Sequence, residues 1–361
     1  MKYTKYDFIT DYERCSDIAK NTQKFYGTSF FDQLVKKKTI NINKLDYLYQ
    51  ILLMPSYEQP FRSLNFTPYS IHLSYPSARS FYTIRIFLAI NFSQLITKVI
   101  GTDKVQIFES KKIQLIPNSY YIVKTNEINK KMYQSIHNTL QVLECGHAIG
   151  SIYELANTLD CKLDIKLNDN YDFISLLNKP RLENNLTRLH NQYLNRSSGN
   201  YYGMITNYGM ITNFENISNI ATLDTIQAKK VLNLMRILPT DINIIYFKNN
   251  GNGFYVDNDQ HRLSYEWLQL EYPFWDPING SAITLFEVGK NINSNIIETI
   301  SFLSQLLCLK NSNINFINRP VKQVLPLHWR KELHSNDSTY TPFYALISTK
   351  VSKTNFNEKL Y

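Results

Sequence analysis

The sequence predicts an α+β protein that runs through one plan of elements twice. Apolar, β-branched runs bounded by turn residues recur in both halves: "FYTIRIFLAI" (81–90), "INIIYFKN" (242–249), "SAITLFEV" (281–288) and "TPFYALIS" (341–348). Each half also holds one long stretch with helical spacing, "QVLECGHAIGSIYELANTL" (141–159) and "NIIETISFLSQLLCLK" (295–310). The order of strands and helix restarts in the second half, as a duplication would leave it.

Taken in order, residues 1–55 read as a helical segment that ends in the loop "LLMPSYEQP". The stretch 56–170 reads as a first domain. It opens on the turn-rich connector "FRSLNFTPYS", passes "SYPSA" and enters a buried strand by residue 90. "VQIFESKKIQLI" (105–116) alternates like a pair of strands. A helix follows over about 129–159, with Val142, Leu143, Ile149, Ile152, Tyr153 and Ala156 on its apolar positions. Residues 171–235 are polar and Asn-rich and read as a linker or insertion. They contain "YGMITN" twice in succession, too short a repeat for a solenoid. Residues 236–361 form the second half. There "NGNG" is a turn, "FYVDNDQHRLSYEWL" a strand–turn–strand, and "SAITLFEV" a strand covered on both faces.

Composition narrows the function classes. The 361 residues are 43% hydrophobic and 14% aromatic, enough for a sizeable core, and only 19% are charged, too few for a disordered tail protein. Net charge is +9, but the basic residues are scattered, with Lys36–Lys38 the densest cluster and no nucleic-acid-binding signature beside them. A polar or acidic peptide is a better expected partner than nucleic acid. No uncharged apolar run reaches membrane-spanning length, and the N-terminus shows no signal-peptide core. Cys15, Cys145, Cys161 and Cys308 and the seven histidines have no metal-ligand spacing. Reduced core cysteines in a cytoplasmic protein, with no metal, are the expectation.

Four segments share an order. "RSLNF" (62–66), "PSARSFY" (76–82), "LECGHAIGSIYELANTL" (143–159) and "GNGFYVDNDQHRL" (251–263) resemble, in turn, the landmarks of the nitroreductase-like FMN oxidases. The resemblance is nearest to their azoline-oxidising branch, the thiazoline and oxazoline dehydrogenases of ribosomal peptide modification. It is patchy, covers about two thirds of the chain, and rests on order rather than on any one motif. It implies a nitroreductase-like, FMN-dependent fold, here as two degenerate tandem copies. The implied substrate is a heterocyclised peptide and the implied partner a cyclodehydratase complex. The halves would pair within one chain as a pseudo-dimer, or the chain would pair with a second copy.

The resemblance also assigns residues. Arg62 and Ser63 would grip the cofactor phosphate and ribityl chain, for which a guanidinium fork and a hydroxyl are suited. Pro76, Ser77 and Ala78 would pass close to the flavin ring, where small side chains admit the backbone. Without the other landmarks the same triplet reads as a turn ahead of a buried strand. Lys131 or Tyr133 would take a proton from the substrate. Gly146 and His147 match a Gly-His pair on the central helix, where the histidine reads as a packed or capping residue. Departures accompany the matches. Asn65 stands where the family has a second Arg, Arg79 replaces a Gly, and Lys131 and Tyr133 are split by Met132. In the second half the flavin segment has shrunk to "LPTDIN" (238–243). Three functions follow: an FMN-dependent azoline oxidase, a catalytically silent scaffold or peptide-binding subunit, and a reductase of small nitro or quinone compounds.

Overall fold

The structure is a computed structural model. It describes residues 34–57, 73–77, 82–111, 114–124, 137–168, 171–182, 221–256, 262–273, 277–289, 292–312, 316–322, 324–333 and 339–350. The chain divides into two compact units, Met1–Leu194 and Asn195–Tyr361, so the boundary falls inside the Asn-rich stretch.

The first unit contains β1 (Leu34–Asn41), α1 (Tyr47–Leu52), β2 (Ile84–Ala89), β3 (Gln94–Val99), β4 (Lys104–Ser110), β5 (Ser119–Lys124), α2 (His137–Thr158), β6 (Leu163–Lys166) and β7 (Tyr171–Leu176). Its strands form one sheet in the order β1-β4-β3-β2-β5-β7-β6. Every pairing is antiparallel. All six residues of β2 are buried, which explains why its sequence runs apolar rather than alternating. Phe87 and Ala89 of β2 pack with Leu95, Phe108, Tyr121 and Val123 in one cluster. On α2, Ala148, Ile149 and Ile152 have no exposure at all. The helix stops where Asp160 turns left-handed (φ 55°) and the Cys161 N–H reaches back to the Ala156 carbonyl at 2.8 Å.

The second unit contains α3 (Thr225–Met235), β8 (Ile242–Asn249), β9 (Phe254–Val256), β10 (Arg262–Leu263), α4 (Tyr265–Glu271), β11 (Ala282–Val288), α5 (Ser294–Ser312), β12 (Phe316–Val321), α6 (Pro326–Glu332) and β13 (Thr341–Lys350). Its sheet runs β10-β9-β8-β11-β13-β12. With β1 set aside, the two orders match strand for strand: β4, β3, β2, β5, β7, β6 against β10, β9, β8, β11, β13, β12. In each unit the long helix follows the strand that lies beside the first central one. All seven residues of β11 are buried, as its composition predicts. Trp329 of α6 anchors the core of this unit, packed with Phe247 and Trp267 and donating its indole N–H to the Tyr272 hydroxyl at 3.1 Å.

Local assignments from the sequence need four corrections. Residues 34–41, read as helical, form β1, whose Val35, Thr39 and Ile40 suit a strand paired with β4. The run 105–116 is one strand rather than two, because β4 pairs with β3 and β1 while the Leu115 N–H turns to the Phe92 carbonyl at 3.0 Å. "SYEWL" begins a helix, capped by the Ser264 hydroxyl accepting from the Trp267 N–H at 3.2 Å. The stretch 171–235 is not wholly a connector: β7 lies in it as part of the first sheet, and α3 forms at its far end. Among the described residues, no helix is long and apolar enough to cross a membrane. Cys145, Cys161 and Cys308 are buried and are not joined in disulfides.

Candidate functional site

Two described residues of the proposed flavin segment, Pro76 and Ser77, lie just ahead of β2 and are half-buried. The Ser77 hydroxyl donates to the Glu144 carboxylate (Oε2) at 2.9 Å, and its oxygen accepts the Tyr82 N–H at 2.8 Å. Thr83 docks on the same helix. Its hydroxyl and its N–H both donate to Glu144 Oε2, at 2.8 and 3.2 Å, and its carbonyl accepts from the Gln141 amide at 2.9 Å. Gln141 and Glu144 are three apart on α2 and so share a face. The start of β2 is thus fastened to the first turns of the long helix through every polar group of one threonine.

Tyr82 itself is left-handed, with φ 47°, in a region that a bulky residue enters at a cost of about 1–3 kcal/mol. It is held there from several sides. Its N–H is bonded to Ser77, its hydroxyl accepts the Leu73 N–H at 2.7 Å, and its ring meets Tyr75 edge-on at 5.8 Å. Ser74 ties the same segment back to the Pro55 carbonyl. A strained residue fixed by its surroundings, at the end of a segment singled out by sequence, marks a place built to hold one conformation.

Beneath the segment lie two buried charged side chains. Burial pushes the Glu144 carboxyl up to about 7, against the pull of the Thr83 and Ser77 hydrogen bonds and the Arg85 charge. Burial likewise lowers the Arg85 guanidinium to about 10. Arg85 Nη1 reaches the Ile84 carbonyl at 3.4 Å, whereas its Nε and Nη2, like Glu144 Oε1, are inaccessible and have no hydrogen-bond partner among the described residues. Farther along the helix face, Asp172 of β7 is raised by burial, with opposing help from Lys124, the Asn168 N–H and the Cys145 thiol. His147 is buried within α2, as a packed histidine should be.

These observations bear on whether the segment fits a flavin. The inaccessible atoms of Arg85 and Glu144 cannot be reached by a cofactor, so what faces outward is the half-exposed side of Pro76 and Ser77. Both are small enough to let a planar ring approach. A hydroxyl has one hydrogen and two lone pairs. With Glu144 ionised, Ser77 directs its hydrogen inward and one lone pair to Tyr82, leaving one acceptor for an N–H of a ring edge. The segment fits FMN in that sense. Arg62, Ser63, Asn65, Ala78, Arg79, Lys131 and Tyr133, the remaining residues singled out by the sequence, lie outside the described residues.

Sequence reasoning missed Glu144, Thr83, Gln141 and Arg85. Two signals pointed to Glu144 and Arg85: a carboxylate inside "QVLECGHAIG" and a guanidinium inside "TIRIFLA", each ionisable in a largely apolar run. In the second unit the chain enters β8 through a single turn, Pro239–Asp241, whose Asp241 carboxylate accepts the Leu238 N–H at 3.2 Å. That turn is closed on itself.

No family model matches the chain, and no curated protein matches it. Among solved structures it resembles a protein of Anabaena variabilis described as a nitroreductase, with 10% identity and a TM-score of 0.53, over 96% of this chain and 99% of that one. A nitroreductase family protein of Clostridium difficile aligns with 37% of this chain and 77% of its own, at 14% identity and a TM-score of 0.23. The first likeness runs nearly end to end through both units, and what it establishes is architecture: the chain has a nitroreductase-like fold.

Proposed function

We propose that the chain is an FMN-dependent oxidoreductase that oxidises azolines to azoles on a ribosomally made peptide, with one cofactor site per chain. The observation that carries this reading is the fixed segment Leu73–Ser77, ending against left-handed Tyr82, at the place where the sequence resembles the flavin segment of azoline oxidases. The nitroreductase-like fold supports it, because nitroreductases generally use FMN. The matching strand orders of the two sheets support a further part of the reading, that the chain is two tandem copies of one unit. The second copy has lost its flavin segment to the closed turn at Pro239–Asp241.

FMN, when bound, supplies the two-electron acceptor that conversion of an azoline to an azole requires. The chain supplies position and proton handling. Arg62 and Ser63 would hold the phosphate end, and Pro76, Ser77 and Ala78 would lie against the ring. Lys131 or Tyr133 accepts the proton released from the substrate ring carbon. Asn65 and Arg79 set this site apart from its relatives, and Arg79 gives it a cation suited to an acidic peptide. The reaction takes place in the cytoplasm beside the cyclodehydratase that makes the azoline, with a homodimer or the internal pair as the working assembly.

A second reading, a silent scaffold or peptide-binding subunit, is favoured by one observation. The Ser77 hydrogen is given to Glu144, so this hydroxyl has no donor left for a cofactor. Incubating the FMN-supplemented chain with an azoline-containing peptide separates the two. Loss of two hydrogens per ring, seen by mass spectrometry, is the expected result. An unchanged peptide in the presence of bound FMN overturns the azoline assignment.

A further inference from the structure

The residue that ties the proposed flavin segment to the rest of the unit is not in the segment. Glu144 sits on α2, and a single oxygen of its carboxylate gathers the Ser77 hydroxyl, the Thr83 hydroxyl and the Thr83 N–H. Its side chain is only 3% exposed, so it touches no solvent-borne ligand directly. Ser77 in turn accepts the Tyr82 N–H, closing the chain between residues 77 and 82 from both ends. Removing the carboxylate would release Ser77 and leave the Thr83 N–H, the next along the chain from left-handed Tyr82, without its acceptor. The same carboxylate decides which way the Ser77 hydrogen points. Once ionised the carboxylate can only accept, so the hydroxyl facing it donates to it and, with one lone pair taken by the Tyr82 N–H, keeps one acceptor position.

We propose that Glu144 is the positioning residue of the cofactor site: acting through Ser77, it fixes the segment ahead of β2 and makes that segment an acceptor for an N–H on the cofactor's ring edge. The proposal rests on the FMN reading above. It assigns to the long helix a task that the Gly-His resemblance did not contain, and it explains why a carboxyl group is retained in an apolar helix at a position where burial opposes its charge.

The test is a set of FMN titrations on the full-length chain, comparing wild type with Glu144→Ala, Glu144→Gln, Ser77→Ala and the double variant Glu144→Ala/Ser77→Ala. Loss of one neutral hydrogen bond, such as that from a ring N–H to the Ser77 oxygen, costs up to roughly tenfold in affinity. Glu144→Ala and Ser77→Ala are each expected to weaken binding by about that factor. The double variant should be no weaker than either single, because both remove the same constraint. Glu144→Gln keeps an accepting oxygen and should stay within about threefold of wild type. Undiminished affinity in Glu144→Ala overturns the inference and leaves the FMN reading standing. Losses that multiply in the double variant also overturn it, since Glu144 would then act independently of Ser77. If the alanine chain does not fold, Glu144→Asp takes its place, because a side chain one methylene shorter draws the carboxyl away from Ser77. Wild-type affinity in that variant overturns the inference too. A wild-type chain that takes up no FMN refutes the functional reading, and the inference with it.

Discussion

Replacing Glu144 by glutamine should remove a pH dependence from the stability of the chain. In the folded protein the Glu144 carboxyl titrates at about 7 rather than at its ordinary 4.5, because burial disfavours the charged form more than the Thr83, Ser77 and Arg85 interactions favour it. Between those two values the folded chain holds a proton that the unfolded chain has released. Stability therefore falls as pH rises through that window, and it levels off above the folded value. At about 1.4 kcal/mol per pH unit, the full span comes to about 3 kcal/mol. Glutamine is neutral throughout and keeps an oxygen for Ser77 and Thr83, so it carries no such slope. Urea unfolding of both proteins at pH 5, 6, 7 and 8 isolates the effect, since all other titrating groups cancel in the difference. Relative to Glu144→Gln, wild type should lose about 2.5 kcal/mol from the acid end of that range to the alkaline end, with most of the change below pH 7. Parallel curves would refute the reasoning, because they would mean that Glu144 is hydrated or paired well enough to ionise normally.

Three other outcomes follow from the same geometry. Thr83→Val preserves shape but deletes a hydroxyl that favours the charged form of Glu144. The fall in stability should then extend to higher pH than in wild type, as the same urea series would show. Tyr82→Phe deletes the oxygen that accepts the Leu73 N–H at 2.7 Å, and should destabilise the chain by about 1–3 kcal/mol in urea unfolding. In the second unit, Trp329→Phe removes the indole hydrogen bond to Tyr272 and part of a fully buried ring. The expected loss is about 2–4 kcal/mol, read as a lower urea midpoint with an unchanged slope.

Much of the architecture was legible because it is written in periodicity. The runs at 84–89 and 282–288 are mostly apolar, without strict alternation, and became the strands buried on both faces. The helical spacing over 141–159 and 295–310 became the long helices α2 and α5. The misread pieces are those where pattern is ambiguous. The lysine-rich run in β1 has the polarity of an exposed helix, and only its pairing with β4 makes it a strand. "SYEWL" alternates, but its Ser264 cap decides for helix. At the site, Ser77 was visible through its small-residue context, whereas its partner Glu144 lies sixty-seven positions away. No local pattern links a serine before a strand to a carboxylate in a later helix. What the sequence did offer was the anomaly of an ionisable group in an apolar run, and Arg85 shows the same anomaly two residues after Thr83.

The central claim is that the fixed segment ahead of β2 belongs to a flavin site. The visible absorption spectrum of the purified chain, before and after denaturation, tests it most directly. The account predicts a yellow protein that releases about one FMN per chain, consistent with one intact and one closed segment. A colourless protein that also fails to take up added FMN would contradict it.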